Sequence, residues 1–225
     1  MTLKTFGGAV AMWLALSLPA QAATVSLLFD STQPASISLT TSGTDHLDTG
    51  VLQFTSTTGG SFAAFCVELA QDHAEFSDGA QVYTIGSFSG RQASALQGLY
   101  STTWTSVDTD LERAAFQTAV WEITHETSSQ PYNVASKSGS FYFESLTGGT
   151  GSANSSFVSL VNSYLHSAEA YTGPSLYTVS RLSNDVFQDL VVAQAAPVPE
   201  PSRMAMMFAG LGAVGFMAAR RRRSA

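Results

Sequence analysis

Ser61-Phe62-Ala63-Ala64-Phe65-Cys66-Val67-Glu68-Leu69 reads as a strand. From Phe62 to Leu69 the run is nearly all apolar, which predicts burial on both faces rather than the alternation of a half-exposed edge. Upstream, Thr24–Phe29, Ser36–Thr40 and Val51–Thr55 are short β-branched or apolar runs separated by Asp, Pro, Ser and Gly. Thr57-Thr58-Gly59-Gly60 supplies a turn into the quoted stretch, and Gln81–Ile85 is a further strand. Downstream the period changes. Ser89-Gly90-Arg91-Gln92 has capping-box spacing, followed by Ala93, Leu96, Leu99 and Tyr100 at helical intervals. Thr109-Asp110-Leu111-Glu112 repeats the device before a stripe of Ala115, Phe116, Ala119, Val120 and Ile123, which Thr127–Pro131 ends. Gly139–Ser156 is a Gly/Ser/Thr-rich loop around Phe141-Tyr142-Phe143. A third helix carries Phe157, Leu160, Val161, Tyr164 and Leu165, and Leu176–Arg181 and Val186–Ala193 return to strand. Strands, then helices, then strands predict an α+β fold: an antiparallel β domain with a helical insertion.

Cys66 is the only cysteine of the chain, so it has no intramolecular disulfide partner. A lone thiol of this kind is either a buried, inert small apolar residue or a group that reacts. Phe116-Gln117-Thr118-Ala119-Val120-Trp121 offers a partner. Gln117 lies at the edge of its helix stripe, where a polar group can face a strand, and shares a helical face with Trp121. A thiolate attacks a side-chain carboxamide, expels ammonia and leaves a thioester. An amine then takes the acyl group as a permanent amide. That chemistry needs one Cys, one Gln and apolar neighbours that keep water out. Phe65, Val67, Phe116, Val120 and Trp121 are suitable neighbours.

The aromatic-Cys-aliphatic tripeptide Phe65-Cys66-Val67, with the apolar-Gln-x-x-apolar-Trp segment Phe116–Trp121 after it, resembles the thioester domains of bacterial surface adhesins. The resemblance covers roughly residues 61–192. It implies a Cys66–Gln117 thioester near the junction of a β part and a helical part, and covalent attachment to an amine-bearing surface or matrix. Such a single-use reaction is not enzymatic turnover. The other reading is a non-covalent structural or glycan-binding module in which Cys66 only packs.

Both ends of the chain carry addressing signals. Met1–Ala22 has the form of a secretory signal peptide: Lys4, the apolar centre Ala9–Leu18 and the small-x-small site Ala20-Gln21-Ala22. The domain proper is expected over residues 23–196, and a sorting segment over 197–225. In that segment Pro199-Glu200-Pro201 precedes the apolar run Met204–Ala219 and the cluster Arg220, Arg221, Arg222 and Arg223. Sixteen residues at about 1.5 Å each span about 24 Å, a short transmembrane helix. The arginines then stay cytoplasmic, which places the preceding domain outside. This tail resembles the PEP-CTERM sorting signal. Arg203 departs from the small residue usual there. The signal peptide predicts export through the Sec pathway and the C-terminal helix transient residence in the inner membrane; the resemblance implies processing by an exosortase and delivery to the cell surface or extracellular polysaccharide matrix. A plain C-terminal membrane anchor predicts the same topology without cleavage.

Between Ala23 and Pro197 the four basic residues Arg91, Arg113, Lys137 and Arg181 face sixteen acidic ones, a net −12. That balance opposes nucleic-acid and anionic-lipid binding and suits a hydrated polysaccharide or a cationic partner. A single lysine in this span accords with an acyl group kept away from its own amines. No cofactor or metal is expected. Asp108-Thr109-Asp110 and Asp45-His46-Leu47-Asp48 lack the Gly and distal Glu of a calcium loop and read as solvated turns. No phosphate loop or G-x-S-x-G nucleophile motif occurs, so a hydrolase has no constellation to rest on. His125 and His73 belong to no motif and read as ordinary polar or loop histidines.

Overall fold

The computed structural model describes residues 22–197 together with Leu211. It contains seven strands: β1 (Thr24–Thr41), β2 (Thr44–Ser56), β3 (Ser61–Cys66), β4 (Gln81–Gly86), β5 (Phe143–Leu146), β6 (Tyr177–Ser183) and β7 (Leu190–Ala195). Three helices, α1 (Gly90–Thr103), α2 (Asp110–His125) and α3 (Gly151–Ala170), lie between β4 and β6. The order along the sheet is β2-β3-β7-β6-β4-β1-β5, every pairing is antiparallel, and β1 also pairs with β2. That extra pairing closes six of the strands into a barrel-like ring, with β5 attached outside it.

Closure depends on the length of β1. Its first residues, Thr24–Leu27, pair with β4, and its last, Leu39–Thr41, pair with β5, while the opposite edge runs along β2. The segments Thr24–Phe29 and Ser36–Thr40, expected as two strands, are therefore one strand. Register shifts between Phe29 and Ser31 and between Pro34 and Ser38 let it bend without stopping. For the same reason Asp45–Asp48 is not a solvated turn. It is paired backbone at the start of β2, with Asp48 opposite Ser38 and Leu47 opposite Leu39.

The helices are placed by their apolar faces. α2 is capped as expected. The Thr109 hydroxyl accepts from Glu112 N–H, and the Glu112 carboxylate accepts from Thr109 N–H at 2.8 Å. Ala114–Ile123 are all buried, because α2 runs between the other helices and the barrel strands β1–β3. At α1 the anticipated capping box is absent: Ser89 makes no side-chain cap bond. Gln92 instead donates to the Thr124 carbonyl at 3.0 Å and ties α1 to the end of α2. α3 begins six residues before Phe157, capped by Thr150. α1 crosses it at Gly98, where a Cβ would run into the Ala168 carbonyl; only glycine allows this approach.

Among the described residues no helix is long and apolar enough to cross a membrane. The expected signal peptide up to Gln21, the motif Pro199-Glu200-Pro201, the span 204–219 except Leu211, and Arg220–Arg223 lie outside the described residues.

Candidate functional site at the end of the third strand

β2 pairs with β3 only as far as Leu52 opposite Ala64. Continued by two residues, that register would bring Gly50 opposite Cys66. The partner there is a side chain instead. Cys66 N–H donates to Gln117 Oε1 at 2.9 Å, and Gln117 Nε2 donates to the Cys66 carbonyl at 2.8 Å. The carboxamide of Gln117 thus stands in for a strand residue where β2 peels away. It satisfies two backbone groups that would otherwise be buried and unpaired. Gln117 itself is fully buried, in the middle of α2. The capped start of α2 and its apolar stripe set the rotation that aims Gln117 at β3.

Cys66 is a buried cysteine in no disulfide. Burial pushes that thiol up to about 12, so in neutral water it is protonated and needs a base before it reacts. The Cys66 N–H donates to Gln117 Oε1, the oxygen that would gain charge if a nucleophile added to the carboxamide carbon.

The neighbours divide between the two faces of β3. Phe65 points away from the Cys66 side. Its ring lies 4.7 Å from Phe116 and 5.5 Å from Trp104, and Tyr100 closes on Phe116 at 5.0 Å. Phe65, Phe116 and Val120 are buried core residues. Val67 is buried just past the strand end, where its N–H donates to the Asp189 carbonyl. Trp121 is buried in the wall of a cavity that Cys66 also lines, and its Nε1–H has no acceptor.

Two adjoining cavities meet at Cys66. One, of about 430 Å³, is lined by Cys66 and by β1 and β2 residues including Ser38, Asp48 and Thr49. The other, of about 400 Å³, runs past Asp72, His73, Glu75 and Trp121. Asp48, Cys66 and His73 belong to both. His73 lies in a loop, as expected, and lines both cavities. The segment after β3 is held by Gln188, whose N–H donates to Asp72 O at 2.9 Å and whose side chain donates to Glu68 O. His125 is placed as well, with Nε2 2.7 Å from the Val67 carbonyl. Neither placement was legible in the sequence, because both depend on how the β3–β4 connection folds back. Tyr83 was also missed. Its hydroxyl is buried without a partner, and burial, then the Cys66 and Asp189 charges, push it up to about 12. Its alternating strand position signalled only core.

In sequence, the PEP-CTERM protein-sorting motif matches residues 197–223. The chain carries a PEP-CTERM signal. It is thereby an exported protein directed to the cell surface, and the motif implies handling by an exosortase. No curated protein matches the chain. Among solved structures it is similar to the N-terminal thioester domain of the fibronectin-binding protein SfbI from Streptococcus pyogenes, at 12% identity and a TM-score of 0.47, over 84% of this chain and 100% of that one. It is also similar to the N-terminal domain of the Streptococcus pyogenes pilus tip adhesin Cpa, at 16% identity and a TM-score of 0.44, over 80% and 97% of the two chains. The N-terminal thioester domain of a surface protein from Clostridium perfringens aligns at 11% identity and a TM-score of 0.43, over 77% and 100%. These overlaps are loose, and the chemistry of the PEP-CTERM protein rests on its own residues.

Proposed function

We propose that this exported protein is a covalent attachment domain. Cys66 and Gln117 close to a thioester, and the Gln117 acyl group passes once to an amine on a surface or matrix component. The observation that carries this reading is the two-point clamp of the Gln117 carboxamide on the Cys66 backbone. It holds the Gln117 carboxamide on the residue that carries the thiol and supplies a donor to the oxygen that gains charge. In closure the sulfur–carbon bond forms, the carbon–nitrogen bond of the carboxamide breaks, and ammonia leaves with the thiol proton. In attachment an amine nitrogen bonds to the same carbon and the thiol returns. The thiol is released but the Gln117 acyl group is spent, so each chain reacts once and this is not an enzyme.

The buried Phe65, Val67, Phe116, Val120 and Trp121 support the reading by excluding water from the back of the bond. The Sec route, a transmembrane tail and a polysaccharide matrix as destination belong to the same proposal. Intact mass tests it. The purified protein should be lighter than its processed sequence by one ammonia, Cys66→Ala should abolish the deficit, and methylamine should appear at Gln117. A full mass with a thiol that titrates only on denaturation would leave the non-covalent matrix module, in which Cys66 merely packs.

A further inference from the structure

We propose that the surface around the exit of the C-terminal tail rests on the lipid bilayer while the tail is in the membrane, which holds the Cys66 end of the domain away from the lipid. This orientation rests on the transmembrane reading of the tail and not on the thioester.

The tail leaves the domain at a defined place. β7 starts with Leu190 opposite Cys66 and ends with Ala195 opposite Tyr177. Ala196 N–H then donates to the Leu176 carbonyl at 2.8 Å. Cys66 and the exit thus lie at opposite ends of one strand, and Leu190 to Ala195 cover about 17 Å at about 3.4 Å per residue. Beyond the exit, residues 197–203 precede the apolar run Met204–Ala219. At about 3.6 Å per residue, a fully extended link of that length reaches about 25 Å at most. Such a tether keeps the domain at the membrane but leaves its orientation to the chemistry of its surface.

That chemistry differs between the two ends. Sixteen acidic residues lie between Ala23 and Pro197, yet Ala170–Ser180 and Val191–Ala196, the segments that meet at the exit, contain no charged residue. Glu169, next to the first segment, is paired with Arg91 at 2.8 Å. At the other end Asp48, Asp72 and Glu75 wall the cavity at Cys66, and Asp189 directly precedes β7. An anionic lipid surface repels that acidic end and leaves the uncharged one free to approach.

The exit surface also carries side chains suited to a lipid–water boundary. Leu176 is 49% exposed, although it is a large apolar residue. Tyr171 and Tyr177 are partly exposed on either side of it in the chain. The Tyr171 hydroxyl donates to the Pro174 carbonyl at 2.6 Å, and the ring lies so close to Gly173 that a Cβ there would come within 2.8 Å of it. Tyr177 is held by Tyr100, with ring centroids 6.0 Å apart. The turn before β6 is thereby fixed in shape and presents Leu176 outward. Tyrosine places an apolar ring and a polar hydroxyl at the depth where headgroups meet acyl chains.

The test uses the full chain in vesicles of phosphatidylcholine and phosphatidylglycerol. Cys66→Ala removes the native thiol, and Ser175→Cys or Asp185→Cys then carries an NBD fluorophore at an exposed position. Asp185 lies between β6 and β7, at the Cys66 end. Lipids bearing a doxyl quencher report contact. The label at position 175 should lose most of its fluorescence, and the label at position 185 none. Leu176→Glu should restore most of the signal at position 175 while the tail stays inserted. In a chain that floats with the vesicles and resists carbonate extraction, no quenching at position 175, or equal quenching at both positions, overturns the assignment. Quenching that Leu176→Glu leaves unchanged overturns it as well, because the tether alone then brings the label to the lipid. Emission at position 175 that shifts to the blue without quenching assigns the surface to a second copy of the chain, and the lipid contact falls. A chain that does not float with the vesicles sinks the transmembrane reading itself, and this orientation with it.

Discussion

The two faces of β3 are built differently, although Phe65 and Cys66 are adjacent in the chain. Phe65 enters a dry aromatic cluster with Phe116, Trp104 and Tyr100. Cys66 sits at the meeting point of two cavities walled by Asp48, Asp72, His73 and Glu75. A strand separates successive residues to opposite faces, so one six-residue element serves as packing wall on one side and cavity floor on the other. Gln117 links the two: it belongs to the packed helix but spends its polar end on the Cys66 backbone.

The comparison breaks most severely on the packing side. Phe65→Ala should cost about 3–5 kcal/mol in urea denaturation, the usual range for removing a fully buried aromatic ring. An unchanged midpoint would mean that the cluster does not anchor β3.

Gln117→Ala is the next largest. Measured against Cys66→Ala, so that no cross-link contributes to either protein, it should cost about 2–4 kcal/mol, because the Cys66 N–H and C=O lose their partner inside the protein. With Cys66 intact, the single variant Gln117→Ala should leave a thiol that reagents label slowly at neutral pH, since burial holds it near 12. Rapid labelling of the folded variant at neutral pH would show that burial does not hold the thiol protonated.

The smallest effect sharpens a second contrast, between two glutamates on α2 and at its C-terminal end. Glu122 is fully buried. Burial pushes it up to about 7 against the hydrogen bond from Asn133 N–H, and its second oxygen has no partner. At Glu126 burial acts in the same direction, but bonds from Ser128 and Ser140 outweigh it and hold the carboxyl below its usual range. The signs are opposite. Glu122 binds its proton more tightly in the folded state, so its contribution is complete below the unfolded value and is lost as pH rises through about 7. The contribution of Glu126 is present above the unfolded value and is lost as pH falls. Glu122→Gln should flatten the decline of stability across neutral pH, by about 1–3 kcal/mol between pH 5 and 8. Melting curves over that interval check it, and a decline unchanged in the variant would assign the titration elsewhere.

Local signals carried much of the architecture. The Thr109 cap and the stripe Ala115–Ile123 placed α2 to within a residue or two, and the polar edge position of Gln117 foretold that it would face a strand. The α+β order and the antiparallel pairing were legible from the change of hydrophobic period. What failed was what depends on distant partners. The bulged continuity of β1 was hidden, because Pro34 and its polar neighbours look like a break when the β2 partner is not in view. The Ser89 cap misled, because Gln92 is taken by the end of a different helix.

By itself the sequence determined that this is an exported chain with a PEP-CTERM tail, an acidic α+β domain and one cysteine. It also singled out Cys66 and Gln117 as a pair to look for, since motif, period and composition are properties of neighbours in the chain. Only the tertiary structure decided that six strands close into a ring, that Gln117 replaces a missing strand partner of Cys66, and that His73 folds back beside them. Those are contacts between residues far apart in sequence, and the chain makes them only when burying its apolar faces leaves no other arrangement of its backbone hydrogen bonds.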